Sequence, residues 1–440
     1  MKHEDSVPVV PKQVLIPFIL VTSLFALWGF ANAVTDPMVQ AFKKVLELSN
    51  SQAAWVQMAF YGGYFCMALP AALFVRRFSY KTGVLVGLGL YSLGALLFYP
   101  AAVTEDFWFF CFGLYVLTFG LAFLETTANP YILAMGDPAT ATQRLNLAQA
   151  FNPVGLIAGL LVAKFFVLDL LKSDDVDNYA TLAEAKKVLI RTSDLLVIRD
   201  PYVILGIVVL VVFVLIAVNK MPQAKAEGGL PSLGETFGKL FKNRKYSLGV
   251  LSQVLYIGAQ IMCWTYIYQY AEGIGIASDV AANYQLAAFI LFTVGRIIGV
   301  YLLKFMNAGT LLFYFAVLGT AAALGTIILE NVVGLYCLAG ISFFLSLMFP
   351  TIYGIALDGL REDEAKIGAA GLVMAIVGGA LMPQLQGLII DLGGVAVNDI
   401  KVLGVSEINF SFLLPALCLL FIAGYGYWVS KSIQADAVSI

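Results

Sequence analysis

Histidine is almost missing from this chain: its one copy, His3, lies in a polar N-terminal stretch. That scarcity excludes a histidine-ligated metal centre, a Ser/His/Asp triad and an imidazole proton relay, so any proton chemistry falls to carboxylates. Charge is scarce as well. Only 12% of the 440 residues are Asp, Glu, Lys or Arg, against about 25% in soluble domains, too few to coat a globule with water-facing groups. The net charge of −2 leaves no basic face for nucleic acid. Cysteine is sparse and unpatterned. Cys66, Cys111, Cys263, Cys337 and Cys418 sit singly in apolar stretches, with no CxxC and no disulfide or metal-ligand spacing, and read as small core residues.

What the chain has instead is apolar length. Hydrophobic residues make up 60% of it, the mean hydropathy is +0.88, and 40 Gly and 15 Pro are scattered through the apolar runs, a usage typical of polytopic helical membrane proteins. A helix needs about 20 apolar residues to cross roughly 30 Å of hydrocarbon. Twelve runs qualify, at 14–38, 52–75, 82–103, 107–133, 144–168, 201–219, 247–271, 280–303, 309–328, 332–357, 367–390 and 411–430. The fold class is therefore an all-α membrane protein of twelve transmembrane helices. The first run continues into Asn32 and Asp36 without an A-x-A cleavage site, so it is expected to remain in the mature protein.

Lys and Arg orient the spans, because cytoplasmic loops retain them. With the N-terminus inside, Arg76, Arg77, Lys81, Lys220, Lys239, Lys242, Lys304, Arg361 and Lys366 fall inside, while Glu105, Glu272 and Glu330 fall outside; Lys43, Lys44, Lys401 and the mixed loop from Lys172 to Asp200 are exceptions. Both termini are expected in the cytoplasm. The polar stretch around 219–246 divides the spans six and six, predicting an N-terminal bundle at 1–218, a cytoplasmic linker at 219–246 and a C-terminal bundle at 247–440. Such pseudo-symmetric halves are the usual construction of secondary transporters, and imply alternating access by rocking around a midplane site.

Ionisable side chains inside spans are functional candidates by default, because each costs a few kcal/mol to insert. Two carboxylates qualify, Asp36 near the outer end of span 1 and Glu125 near the middle of span 4. Both have polar company at helical spacing. Trp28, Asn32 and Asp36 share one face of span 1, and Glu125 and Asn129 one face of span 4. Asn146, Gln149 and Asn152 form an amide stripe in span 5, and Gln253, Tyr256, Gln260 and Trp264 a polar and aromatic face in span 7. Asn and Gln both donate and accept, as a hydroxyl pair requires, while Trp and Tyr offer a flat apolar surface to a sugar ring. A phosphate or carboxylate cargo would call for Arg instead. Spacing alone leaves other readings open. Asp36, followed by Pro37, also fits a helix end wetted by headgroups; Glu125 fits a buried structural hydrogen bond; the amides fit interhelical contacts.

Three strings sharpen the choice. Phe25-Ala26-Leu27-Trp28-Gly29-Phe30-Ala31-Asn32, Leu124-Glu125-Thr126-Thr127-Ala128-Asn129-Pro130 and Arg144-Leu145-Asn146-Leu147-Ala148-Gln149-Ala150-Phe151-Asn152 resemble the fucose/galactose/glucose:proton symporter family of the major facilitator superfamily. The likeness runs from span 1 to span 12. The Glu-Thr before Ala-Asn-Pro resembles the fucose-carrying members. The resemblance implies the major facilitator fold, no enzymatic activity, no cofactor, and a bacterial inner-membrane carrier whose partners are a sugar, a proton and the bilayer, without an obligate protein partner. It implies proton-coupled uptake of L-fucose or a closely related sugar, with Asp36 and Glu125 as the proton-handling carboxylates and Asn32, Gln149, Asn152, Trp28 and Trp264 in the sugar cavity. Proton- or sodium-coupled carriage of glucose, galactose or N-acetylglucosamine is the alternative, as is a non-transporting sugar receptor on the same fold. Span 2 ends in Arg76-Arg77-Phe78-Ser79-Tyr80-Lys81 and span 8 carries Gly295-Arg296-Ile297-Ile298-Gly299, which look like the superfamily's paired short-loop motif without its leading acid. Pro37 and Phe349 depart from the family, the latter standing where its fucose-carrying members have tyrosine.

Overall fold

A computed structural model describes residues 8–47, 50–173, 182–222, 233–276, 278–390, 392 and 400–438. His3 and part of the linker therefore lie outside the described residues, as does the side chain of Asp36. The chain is helical almost throughout, as expected where lipid offers the backbone no hydrogen-bonding partner. Its first half runs α1 (Leu15–Val45), α2 (Asn50–Arg77), α3 (Tyr80–Leu96) with its short continuation α4 (Phe98–Thr104), α5 (Phe107–Ala134), α6 (Ala141–Gln149), α7 (Asn152–Phe166) and α8 (Glu184–Val218). The second half runs α9 (Leu233–Lys242), α10 (Arg244–Thr265) continued by α11 (Ile267–Gly273), α12 (Ser278–Leu302), α13 (Ala308–Ile328), α14 (Val332–Leu345) continued by α15 (Met348–Leu357), α16 (Glu362–Met374), α17 (Gly378–Ile390), α18 (Glu407–Ser411) and α19 (Leu413–Val438). A two-residue hairpin, Lys401–Val402 against Val405–Ser406, precedes α18. Twelve stretches of the described residues are long and apolar enough to cross a membrane, matching the number of apolar runs.

The chain divides into two compact units. One comprises Val10–Met135 and Phe151–Gly228. In it α3 packs against α5 and α8, α2 against α5, and α1 against α7. The α1–α7 crossing requires glycine: a Cβ on Gly155 would collide with the Ala26 carbonyl, and one on Gly29 with the Asn152 carbonyl. The other unit comprises Met1–Val9, Gly136–Ala150 and Gly229–Ile440. There α13 packs against α14 and α19, α12 against α14, and α10 against α15, α17 and α19, while α6 lies against α12 and α15.

Three local expectations need correction. The helix of the sixth span begins well before residue 201: α8 starts at Glu184 and runs 35 residues, about 52 Å at 1.5 Å per residue. The mixed charge of its first half is amphipathic rather than loop-like. Ion pairs from Lys187 to Glu47 and from Arg191 to Glu105, both at 2.8–2.9 Å, hold it, and the fully buried Asp194 carboxylate accepts the backbone N–H groups of Lys172 and Ser173 at 2.9 and 3.0 Å. The fifth span is not one helix. It breaks at Ala150–Phe151, between α6 and α7, so the amide stripe is divided, with Asn146 and Gln149 before the break and Asn152 after it. Of the five cysteines, Cys111, Cys263 and Cys418 are buried, but Cys66 is exposed and Cys337 half-buried, because apolar surface facing lipid needs no core.

Candidate functional site

In the first unit the site is built around Glu125, in the middle of α5 and 3% exposed. Every residue of α5 from Gly120 to Ile132 is buried, Thr126, Thr127 and Asn129 included. Among the described residues no donor is aligned on either Glu125 carboxyl oxygen, although the Asn129 side chain, one turn on, lies near enough to the carboxyl to act on it as a hydrogen-bonding neighbour. The Asn129 amide donates to the backbone carbonyl of Glu125 at 3.0 Å. On the adjoining α2, the buried Tyr64 hydroxyl lies within electrostatic reach of Glu125 and accepts the indole N–H of Trp28. Trp28, Tyr64 and Glu125 thus form one neighbourhood drawn from α1, α2 and α5. A buried ionised carboxylate without a partner is expensive, whereas the neutral acid is tolerated.

The rest of the first unit's candidates are positioned by the same helices. Asn32 is half-buried on α1, one turn beyond Trp28. Asn152, also half-buried, donates its amide across the α1–α7 crossing to the Phe25 carbonyl at 3.2 Å, so part of its capacity holds helices together. The backbone of Asp36 continues α1.

The second unit presents a parallel arrangement on α10. Gln253 and Tyr256 are fully buried, while Gln260 and Trp264 are half-buried one and two turns further along. Trp264 donates its indole N–H to Ser342 Oγ on α14 at 3.1 Å, and its ring is met edge-on by Phe289 and Phe292 of α12. Tyr256 meets Phe349 edge to face at 6.2 Å, and Phe349 stacks on Tyr353 at 6.1 Å. Neither amide atom of Gln253 has a hydrogen-bond partner among the described residues, leaving a donor and an acceptor available inside the unit. Gln149, at the end of α6, is buried in the same unit. Both Trp28 and Trp264 have satisfied N–H groups, so each has only its ring face to offer a ligand.

The motif Gly295-Arg296-Ile297-Ile298-Gly299 lies within α12, the helix of span 8, with Arg296 3% exposed. Its Nε donates to the Ser346 carbonyl at 2.6 Å and its Nη1 to the Gln149 carbonyl at 2.9 Å. Arg144 is buried as completely, its guanidinium donating to the Val9 and Asp137 carbonyls and to Thr140 Oγ1 at 3.1–3.4 Å. Sequence reasoning missed both as buried groups. For Arg296 the available signal is a cation inside an apolar run.

Comparison with known proteins adds an independent line. The chain is 54% identical over 432 residues to the L-fucose-proton symporter of Haemophilus influenzae, covering 97% of this chain and 99% of that one. It is 33% identical to the L-fucose-proton symporter of Escherichia coli over 92% of this chain and 91% of the other, and 32% identical to a glucose/galactose transporter of Brucella abortus over 93% of each. Among solved structures it superposes on the E. coli protein FucP in the outward conformation with a TM-score of 0.86, over 95% of this chain and 100% of that one, at 33% identity. A proton:xylose symporter at 13% identity, TM-score 0.65, shares the fold alone. Residues 18–383 match the Major Facilitator Superfamily, and the twelve helices and these relatives agree with it: the chain belongs to the major facilitator superfamily of membrane transporters.

Proposed function

We propose that the protein is a proton-coupled L-fucose carrier that takes up its sugar by alternating access, the working mode of transporters built from repeated halves. The observation that carries the coupling is Glu125: a carboxyl 3% exposed, with no aligned donor, beside the Trp28–Tyr64 pair. The names of the relatives support L-fucose as cargo.

Protonation is the step that lets such a group remain buried while the protein changes state. A proton arriving from outside neutralises the carboxyl and removes the penalty of an unpaired buried charge. The sugar supplies the remaining bias through contacts that differ between states, since a ligand shifts an equilibrium only by its differential affinity. Asp36, nearer the end of α1 that we assign to the outside, is the outer proton acceptor, and Glu125 is the gating group. Asn32, Asn129, Gln149, Asn152, Gln253, Tyr256 and Gln260 are the polar contacts for sugar hydroxyls, and Trp28 and Trp264 the ring platforms. The chain resides in the bacterial inner membrane with both termini in the cytoplasm.

Uptake of labelled L-fucose, glucose, galactose and N-acetylglucosamine by proteoliposomes, each under a proton and then a sodium gradient, tests the proposal. The expected result is accumulation of L-fucose under the proton gradient. Preference for another sugar, coupling to sodium, or binding without counterflow would overturn it.

A further inference from the structure

Arg296 carries a charge that the symport chemistry does not use. Among the described residues no carboxylate pairs with its buried guanidinium. It donates instead to two backbone carbonyls, of Ser346 and Gln149, and lies 4.8 Å over the ring of Phe292. The two acceptors share a property that follows from the sequence. In an unbroken helix the carbonyl of residue i takes the N–H of residue i+4. For Gln149 that residue is Pro153, and for Ser346 it is Pro350. Proline has no N–H, so each carbonyl loses its helical partner.

Both helices break there. Gln149 is the last residue of α6, and Ser346 is the C-cap of α14, two residues before α15 begins. A freed carbonyl in hydrocarbon must find another donor. The planar guanidinium, with N–H groups diverging from one rigid plane, can serve two at once where an ammonium on a flexible stem cannot hold that geometry. The preceding residue makes the reach feasible: a Cβ on Gly295 would collide with the Phe343 carbonyl, so glycine there lets α12 approach the α14–α15 break.

We propose that Arg296 is a positioning residue, the shared donor that stabilises two proline breaks together and thereby sets the placement of Gln149 and of the Phe349–Tyr353 stack. Its effect on transport rests on the symport reading above; its effect on helix geometry does not. The test is a mutant cycle on the full chain, read in two ways: by thermal melting in detergent without sugar, and by L-fucose counterflow in proteoliposomes. Arg296→Met keeps the apolar stem and removes both donors, and is expected to lower the melting midpoint and raise the KM for counterflow. Adding Pro153→Ala and Pro350→Ala returns an N–H to each carbonyl and should recover most of both losses. Arg296→Lys should fall between wild type and Arg296→Met.

Additive effects of the arginine and proline substitutions on the midpoint would overturn the proposal, because independent sites add. A KM that Arg296→Met leaves unmoved while the maximal rate falls would also overturn it, since a purely structural role reduces only the amount of active carrier. If Arg296→Met fails to yield folded protein, the triple variant decides: its recovery supports the shared-donor role and its continued loss overturns it. Wild-type protein that shows no L-fucose counterflow would refute the symport reading, and the melting cycle would still decide the role of Arg296.

Discussion

Glu125 combines deep burial with a carboxyl that no aligned donor satisfies, and Gln is its closest neutral stand-in. Glu125→Gln should therefore behave as the permanently protonated form. Sugar exchange should persist and be insensitive to pH, uphill accumulation should disappear, and the melting midpoint should not fall. Accumulation in proportion to the pH gradient in that variant would remove Glu125 from the coupling step. For Trp264, whose indole N–H is already given to Ser342, the ring face is the useful part. Replacing it with Phe should preserve uptake, whereas Trp264→Ala should cost about 1 kcal/mol of sugar affinity, roughly fivefold in KM, measured by counterflow titration. The carboxylates and amides were legible as candidates because they interrupt apolar runs at helical spacing. Their partners were not: that Trp28 reaches Tyr64, or Asn152 the Phe25 carbonyl, depends on which helices cross and at what depth, which no single segment encodes.

Among the elements, the twelve crossings were readable since length and hydropathy are properties of each segment alone. The helix ends and breaks were less so. Pro153 and Pro350 are plain in the sequence, yet a proline in a transmembrane helix is compatible with a kink, a break or little change, according to what satisfies the freed carbonyl. Here that donor arrives from a third helix. The early start of α8 was hidden for the related reason that its first half is amphipathic and charged, a pattern shared by loops until Glu47, Glu105 and the Lys172–Ser173 backbone are known to be its partners. Asp194→Ala should leave two backbone N–H groups without their acceptor, the buried one of Ser173 among them, and cost about 1–3 kcal/mol, visible as a lowered melting midpoint. At the α1–α7 crossing, Gly155→Leu should prevent close approach to Ala26 and abolish folded protein, as judged by size-exclusion profile; a normal profile would mean that the crossing tolerates separation.

For the whole molecule, the scarcity of charge that marked the chain as a membrane protein also accounts for its two units being built from helices with apolar exteriors and a few buried polar groups. The superfamily follows from that architecture and from its relatives; the direction of insertion is a separate matter. Single cysteines introduced near residues 10 and 430 of a variant lacking native cysteines should be labelled by an impermeant thiol reagent only when the cell's inner face is exposed. Labelling from outside would reverse the proposed orientation. Energy coupling belongs to this scale as well, and a protonophore should collapse L-fucose accumulation while leaving exchange intact.

The length of α8 has a practical consequence. At about 52 Å, it exceeds the roughly 30 Å hydrocarbon layer, and its first turns carry the exposed Glu184, Lys186, Val188 and Leu189. Tied to the body of its unit by Lys187 and Arg191, this stretch is a stiff handle on a 47.6 kDa protein. An antibody fragment raised against 184–195 would serve as an orientation marker fixed to one half of the carrier.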